Sequence, residues 1–235
     1  MQTLKNFFLV SAFFFAKQGY SQLKFGVEGG YNAARFAPSG ATPVGDNAIS
    51  WSSVNAFAAG ITSEIPLTRK MMLQPALLFF GNGTYLGDQS TLPGYYSSSR
   101  TTIRLYYLRL PVSVVDRIKL DNHLYFVAGA GVYAAKGISG RAKGSDEGMS
   151  AYSTPFAYTF DKKVDFSNGI SLSPQSTTFI KPFDFGWQLQ GGLEWTGVEL
   201  TATYSRGFSS IYSENGYHYK NAAFAISLGY FFPLK

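Results

Sequence analysis

In residues 221–232, Ala222, Phe224, Ile226, Leu228, Tyr230 and Phe232 alternate with Ala223, Ala225, Ser227, Gly229 and Phe231. Successive side chains of a strand point to opposite faces, so this run has one apolar face and one face of mostly small residues. The same period of two returns in segment after segment, with Phe, Tyr or Trp near many of the segment ends. A closed sheet whose outside meets lipid produces this pattern, because aromatic residues collect where a barrel wall crosses the two membrane interfaces. A barrel wall fixes architecture and leaves activity open, since function resides in lumen and loops.

Composition supports a membrane wall. Charged residues are 14% and aromatic residues 17%, against ~25% charged in an ordinary soluble domain. No apolar run beyond the first residues is long enough for a spanning helix, which needs ~20 residues. The start of the chain has the order of a secretory leader: Lys5 supplies positive charge, residues 7–16 are apolar, and Gly19 and Ser21 place small residues at the cleavage positions. Residues 1–21 are therefore expected to be a signal peptide, and residues 22–235 one barrel domain. Cysteine is absent, which excludes disulfides, thiolate metal sites, a lipid-anchoring cysteine and a cysteine nucleophile. The net charge of +6 is scattered, two of its lysines lie in the leader, and no basic stripe of the kind that reads nucleic acid is present.

Eight strand-like segments are bounded by Gly, Pro, Asn, Asp and Ser clusters: 23–36, 51–65, 72–86, 101–115, 123–136, 183–195, 198–208 and 221–232. In the sixth, Phe183, Phe185, Trp187, Leu189, Leu193 and Trp195 share one face while Asp184, Gln188, Gln190 and Glu194 share the other. The seventh answers with Val198, Leu200, Ala202 and Tyr204 against Glu199, Thr201, Thr203 and Ser205. Two neighbouring strands with polar faces toward the interior suit a lipid-facing barrel and suit a sandwich poorly. Connections alternate between short (66–70, 116–122, 196–197) and long (37–50, 87–100, 137–182, 209–220). That asymmetry predicts an all-β, eight-stranded, antiparallel up-and-down transmembrane barrel in the outer membrane, with both termini and the turns periplasmic and the long loops extracellular.

Two segments are less regular. In 101–115 the apolar phase runs Ile103, Leu105, Tyr107 and then switches to Leu108, Leu110, Val112, Val114, which predicts a bulge near Tyr107 or an upper half standing outside the membrane. In 123–136 both faces are apolar or small, with Gly129 and Gly131 available to ease curvature.

These segments resemble the PorT-like outer-membrane β-barrel proteins common in the Bacteroidota. The carriers are Tyr107, Leu108, Pro111 and Val112, the stretch YFVAGAGVY at 125–133, Leu73-Gln74-Pro75, and DFGWQLQGGLEW followed by TATYSRGFSSI. The resemblance covers essentially the whole chain after the leader and implies a small outer-membrane barrel, tied in some members to protein secretion. The ending SLGYFFPL resembles the signal by which the barrel-assembly machinery accepts its clients, with Gly229, Tyr230 and Phe232 as its assembly residues. Pro233, Leu234 and Lys235 follow the last aromatic residue, where related chains end on it.

The face assignments direct Glu28, Glu64, Asp184, Glu194 and Glu199 into the lumen with Arg109, and Gln74, Gln188 and Gln190 between them. Eight strands enclose an interior that side chains just fill, so the expectation is a self-satisfied polar plug in which Arg109 pairs with a carboxylate of the first, sixth or seventh strand. The excess of acid would favour cations if the lumen conducted. The long connection 137–182 contains RAKGSDEG, the aromatic series Tyr152, Phe156, Tyr158, Phe160, and DKKVDF; alternation in 156–160 predicts a hairpin raised above the membrane. Loops of this length carry binding function when a barrel has one.

Residues for catalysis are few. His123 falls at a short turn, and His218 lies in the last long loop near Ser209, Ser210, Ser213 and Glu214, with no spacing that makes a nucleophile, base and orienting acid converge. Asp146 with Glu147, and Asp161 with Asp165, lack the ligand number of a calcium loop. The leading expectation is a non-enzymatic scaffold or accessory envelope subunit without cofactor or metal. Its expected partners are outer-membrane lipid, the barrel-assembly machinery during biogenesis and an envelope protein. A small cation-preferring pore is the first alternative, and a loop-based outer-membrane hydrolase or acyltransferase the second.

Overall fold

The computed structural model describes residues 23–39, 50–150, 153–167, 178–214 and 217–232; the expected leader and its cleavage site lie outside them. The chain forms β1 (Lys24–Ser39), β2 (Ser50–Ser52), β3 (Val54–Pro66), β4 (Met71–Leu92), β5 (Tyr95–Lys119), β6 (Leu124–Ser150), β7 (Ser153–Phe166), β8 (Thr178–Ile180), β9 (Phe183–Trp195), β10 (Val198–Gly207), β11 (Tyr212–Glu214) and β12 (Tyr217–Phe232). Eight of these make a ring in the order β1-β3-β4-β5-β6-β9-β10-β12, and β12 closes it by pairing with β1 from Phe25↔Phe232 to Ser39↔His218. All these pairings are antiparallel between ring neighbours, which is the expected up-and-down barrel. Closure removes every free edge of the ring, the one way a sheet can satisfy its backbone inside lipid.

Alternation decides which way the wall faces. Phe25, Val27, Phe57, Ile61, Leu189, Leu193, Leu200, Ile226 and Leu228 are exposed on the outside, while Glu64, Gln74, Gln188, Glu194 and Glu199 are buried within. At one end the connections are tight. Between β9 and β10 only Thr196 (φ 48°) and Gly197 (φ 85°) intervene, the doubly positive pair of a two-residue hairpin turn, where glycine is at ease and threonine is strained.

At the other end the strands run on well past the wall. The connection expected as a loop over 87–100 is instead a continuous hairpin: β4 and β5 stay paired to Leu92↔Tyr95 around Pro93 and Gly94 (φ 75°), the residues a type II turn prefers. Its two faces are both polar, so hydrophobic alternation could not reveal it. Likewise β6 extends through Ser150 and β7 returns alongside it, from Ser150↔Ser153 to Arg141↔Lys163, as the raised hairpin expected for this region.

A bulge lies beside Tyr107 as expected, but on the partner strand, and it does not cause the phase switch in the fourth segment. The register between β5 and β6 shifts between Tyr106 and Tyr107, facing Ser139 and Gly137, so the extra residue is Ile138 on β6. β5 itself keeps one phase throughout. Ile103, Leu105 and Tyr107 point inward into an apolar cluster, whereas below them Leu108, Leu110 and Val114 point outward to the wall. The apolar face changes sides because the upper half of β5 packs its apolar residues into that interior cluster, whereas the lower half carries them on the outer wall. The bulge also divides β6, whose lower part pairs with β9 and whose upper part pairs with β7.

Candidate functional site

The lumen is layered. Nearest the tight turns, the carboxylate of Glu64, only 1% exposed, accepts from Arg117 Nη2 at 3.0 and 3.1 Å and lies 3.1 Å from Lys24 Nζ. Arg117 also pairs with Glu194. Single carboxylate oxygens of Glu64, Glu194 and Glu199 lie within 4.8 Å of one another, the ligand type of a hard cation. Arg117 and Lys24 already supply the positive charge among them. Met72, Val115 and Val127 form an apolar cluster at the same end.

In the middle layer Gln74 Nε2 donates to Glu199 (3.1 Å), Gln190 Nε2 to Gln74 Oε1 (2.8 Å), and Gln188 Nε2 to Ser113 Oγ (2.9 Å). Glu28, Gln74, Gln190, Glu199 and Arg109 line a cavity of about 60 Å³, well above the ~10–15 Å³ needed to hold a water molecule. Gly229 stands between Glu28 of β1 and Glu199 of β10 in the register, where a Cβ would make only ordinary contacts, the nearest at 3.7 Å. Tyr230 and Phe232 face outward near the turn end, their rings edge to face at 5.0 Å.

Arg109 roofs this cavity. Its Nη2 donates to Gln188 Oε1 (2.9 Å) and its Nη1 to Ser205 Oγ (3.2 Å), while the guanidinium carbon lies 3.7 Å from the Tyr133 ring centre and 4.4 Å from that of Phe80. The expected Arg109 carboxylate pair is therefore not formed. Aromatic faces and neutral oxygens hold the cation, an arrangement suited to guanidinium, which is weakly hydrated and stacks. The nearby carboxylate of Asp184 is taken by Tyr133 Oη (3.0 Å) and Asn221 Nδ2 (2.8 Å). Gly186 lets the Tyr133 ring lie against the wall, because a Cβ there would fall 2.5 Å from that ring.

Above Arg109 the lumen turns apolar. Phe36, Ile103, Leu105, Tyr107, Tyr133, Val164, Ile180, Ile211 and Tyr219 form one buried cluster, with Trp51, Leu86 and Phe166 against it. The Trp51 ring packs tilted against Tyr219 at 4.3 Å, and Tyr107 meets the edge of Phe166 at 5.7 Å. β7 and β8 thus contribute to a stopper across the loop end.

The nine predicted lumen residues all line the interior, and they separate into three groups. Glu64, Glu194 and Glu199 converge; Gln74, Gln188, Gln190 and Glu28 surround the cavity; Arg109 and Asp184 sit higher, with Tyr133 between them. Arg109 is not the sole inward cation. Arg117 lies two residues beyond the fourth expected segment, 101–115, and Lys24 lies near the start of the first, 23–36, with no face assigned to it. Continuing the phase 109, 111, 113, 115 reaches 117, and continuing 28, 26 reaches 24. His123 and His218 lie at opposite ends of the barrel, His123 at the turn before β6 and His218 opposite Ser39 and Ser213 at the loop end. Asp161 is held by Arg141 and Lys143, which together with hydrogen bonding keep its carboxyl below the usual carboxylate range.

A family model described as an outer membrane protein beta-barrel domain matches residues 15–213. No curated protein matches the chain. Among solved structures, the chain is similar to Ail, the attachment invasion locus protein of Yersinia pestis in complex with the heparin analogue sucrose octasulfate, at 9% identity over 90% of this chain and 100% of that one, with a TM-score of 0.35. It is similar to Neisserial surface protein A at 13% identity over 88% and 97%, with a TM-score of 0.40. It is similar to the outer membrane protease OmpT from Escherichia coli at 11% identity over 90% and 95%, with a TM-score of 0.34.

Proposed function

Because this chain belongs to the family of outer-membrane protein β-barrel domains, we propose that it is a non-enzymatic barrel with a sealed lumen that serves as a scaffold or accessory envelope subunit through its outer surfaces. The turns and termini then face the periplasm and the long hairpins face outward, and Gly229, Tyr230 and Phe232 serve recognition by the assembly machinery. Within the family we place it among the PorT-like barrels, on the residues from Tyr107 to Val112 and from Tyr125 to Tyr133.

One observation carries the reading: the apolar stopper over the aromatic-clamped Arg109 occupies the lumen above its small cavity. An interior so filled leaves the outside to act, and the β6–β7 hairpin offers exposed Phe156 and Tyr158, stacked at 6.1 Å, beyond the ring. Exposed aromatic pairs on a supported hairpin are the type of residue that anchors protein interfaces.

Co-purification from native outer membranes in mild detergent tests this. A photo-crosslinking residue at position 158 should capture a discrete envelope protein, and adding Phe156→Ser beside it should weaken that capture while heat-modifiable migration, the sign of an intact barrel, persists. Capture at 158 that is no stronger than at the lipid-facing position 200 would overturn the reading.

A further inference from the structure

On the outer wall, Arg206 of β10, Ala222 of β12 and Arg35 of β1 stand abreast in the register, and Lys220 lies two residues further along β12 on the same face. Adjacent strands are ~4.8 Å apart and two residues advance ~7 Å, so the two arginines flank Ala222 with backbones ~10 Å apart and the lysine completes a triangle. The alternation puts all three outside: Ala34, Phe36, Ser205, Asn221 and Ala223, their chain neighbours, are buried in the interior.

The triangle sits at the edge of the lipid-facing wall. One step below it Tyr204, Phe224 and Ala33 are abreast, then Ala202, Ile226 and Tyr31, and Arg206 itself is opposite Trp187. Just above the triangle β10 ends at Gly207, so at this level the regular wall gives way to the loop end. Among the described residues no carboxylate pairs with Arg35, Arg206 or Lys220. Elsewhere at this end, Arg141 and Lys143 on β6 share Asp161 at 2.9 and 3.1 Å. At the turn end Arg69, Lys70 and Lys119 are accompanied by Asp116 and Asp121. Three neighbouring cations without a counter-ion among the described residues, continuous with a lipid-facing wall, call for an anion that the membrane supplies.

We infer that Arg35, Arg206 and Lys220 form a binding site for the phosphate of a phosphorylated glycolipid in the leaflet at the loop end, its acyl chains lying along Phe224, Ile226 and Tyr31. Guanidinium groups bind phosphate with paired, charge-assisted hydrogen bonds, and the lysine adds a mobile point charge. The site rests on the proposed outward orientation of the loop end for its choice of leaflet. Its chemistry does not depend on the lumen being sealed.

The test uses the folded barrel in a non-ionic detergent, titrated with diphosphoryl lipid A and followed by native mass spectrometry. Each cation near a lipid phosphate contributes a factor of about five, so Arg35→Gln/Arg206→Gln/Lys220→Gln should weaken binding on the order of a hundredfold. Arg69→Gln/Lys70→Gln at the turn end should leave it unchanged, with heat-modifiable migration retained in every variant. Lipid A stripped of its phosphates should bind the wild type as weakly as the triple variant binds the intact lipid. Equal binding by wild type and triple variant, or equal binding of stripped and intact lipid, overturns the inference. So does full displacement of lipid A by millimolar inorganic phosphate, which would mark a free-anion site. Labelling of a cysteine introduced at position 158 on intact cells reports orientation separately, so failure of the topology and failure of the site are distinguishable.

Discussion

Arg117→Met is expected to lower the barrel's unfolding free energy by ~3–5 kcal/mol, because it leaves buried carboxylates without their partner. In the native barrel one guanidinium answers both Glu64 and Glu194, and Glu199 lies in the same group. Without it, Lys24 alone faces Glu64, and Glu194 has no described cation partner. Methionine fills much of the volume but offers no charge. A second change, Glu194→Gln, should restore part of the loss by removing a carboxylate whose described ion pair is with Arg117. Urea titration of the barrel in detergent, read by tryptophan fluorescence, measures both. A single variant that unfolds at the wild-type midpoint would show that water solvates this end of the lumen.

The second large effect concerns the wall. Leu189 is half exposed to lipid and lies midway along β9 between Trp195 at the turn end and Phe183 at the loop end. Leu189→Arg should cost ~2–4 kcal/mol, and Phe183→Arg, at the boundary, only ~0–1 kcal/mol, since the penalty for a lipid-facing cation falls away from the midplane. Native Lys136 is the register neighbour of Phe183 on β6, an indication that charge is tolerated at that level. Folding yield into vesicles distinguishes the two. Equal yields for both variants would mean that the lipid band is misplaced along β9.

How far these features could be read in advance follows from what each depends on. The wall depends on local alternation, so 183–195 coincides with β9, and each lumen residue there points as its position in the period dictates. The upper barrel depends on contacts between strands. There the hairpin at Pro93 and Gly94 is polar on both faces, and Ile138 reverses the phase of β6 without any mark in its own composition. Arg109 shows the same limit within the site. Its inward direction follows from parity, but its partners follow from which rings the neighbouring strands bring to its depth. Tyr133 and Phe80 reach it, whereas Asp184 is taken first by Tyr133 and Asn221. Parity specifies a face, and only packing specifies a partner.

The stopper joins distant parts of the chain. Trp51, Tyr107, Phe166, Ile180, Ile211 and Tyr219 come from separate strands and connections, yet meet over a single cross-section of the lumen. Burial of so many large apolar side chains in one cluster, at ~1.5–3 kcal/mol each, makes an open state costly. A polar plug of glutamines alone would rearrange around passing water more easily.

Single-channel recording of the purified barrel in planar bilayers tests the sealed lumen most directly. The wild type should insert and remain silent across the voltage range in which the bilayer itself is stable, because the stopper and the clamped Arg109 block the path above the cavity. Discrete, protein-dependent conductance steps with preference for cations would contradict the account and make the acidic lumen a selectivity element in place of a structural one.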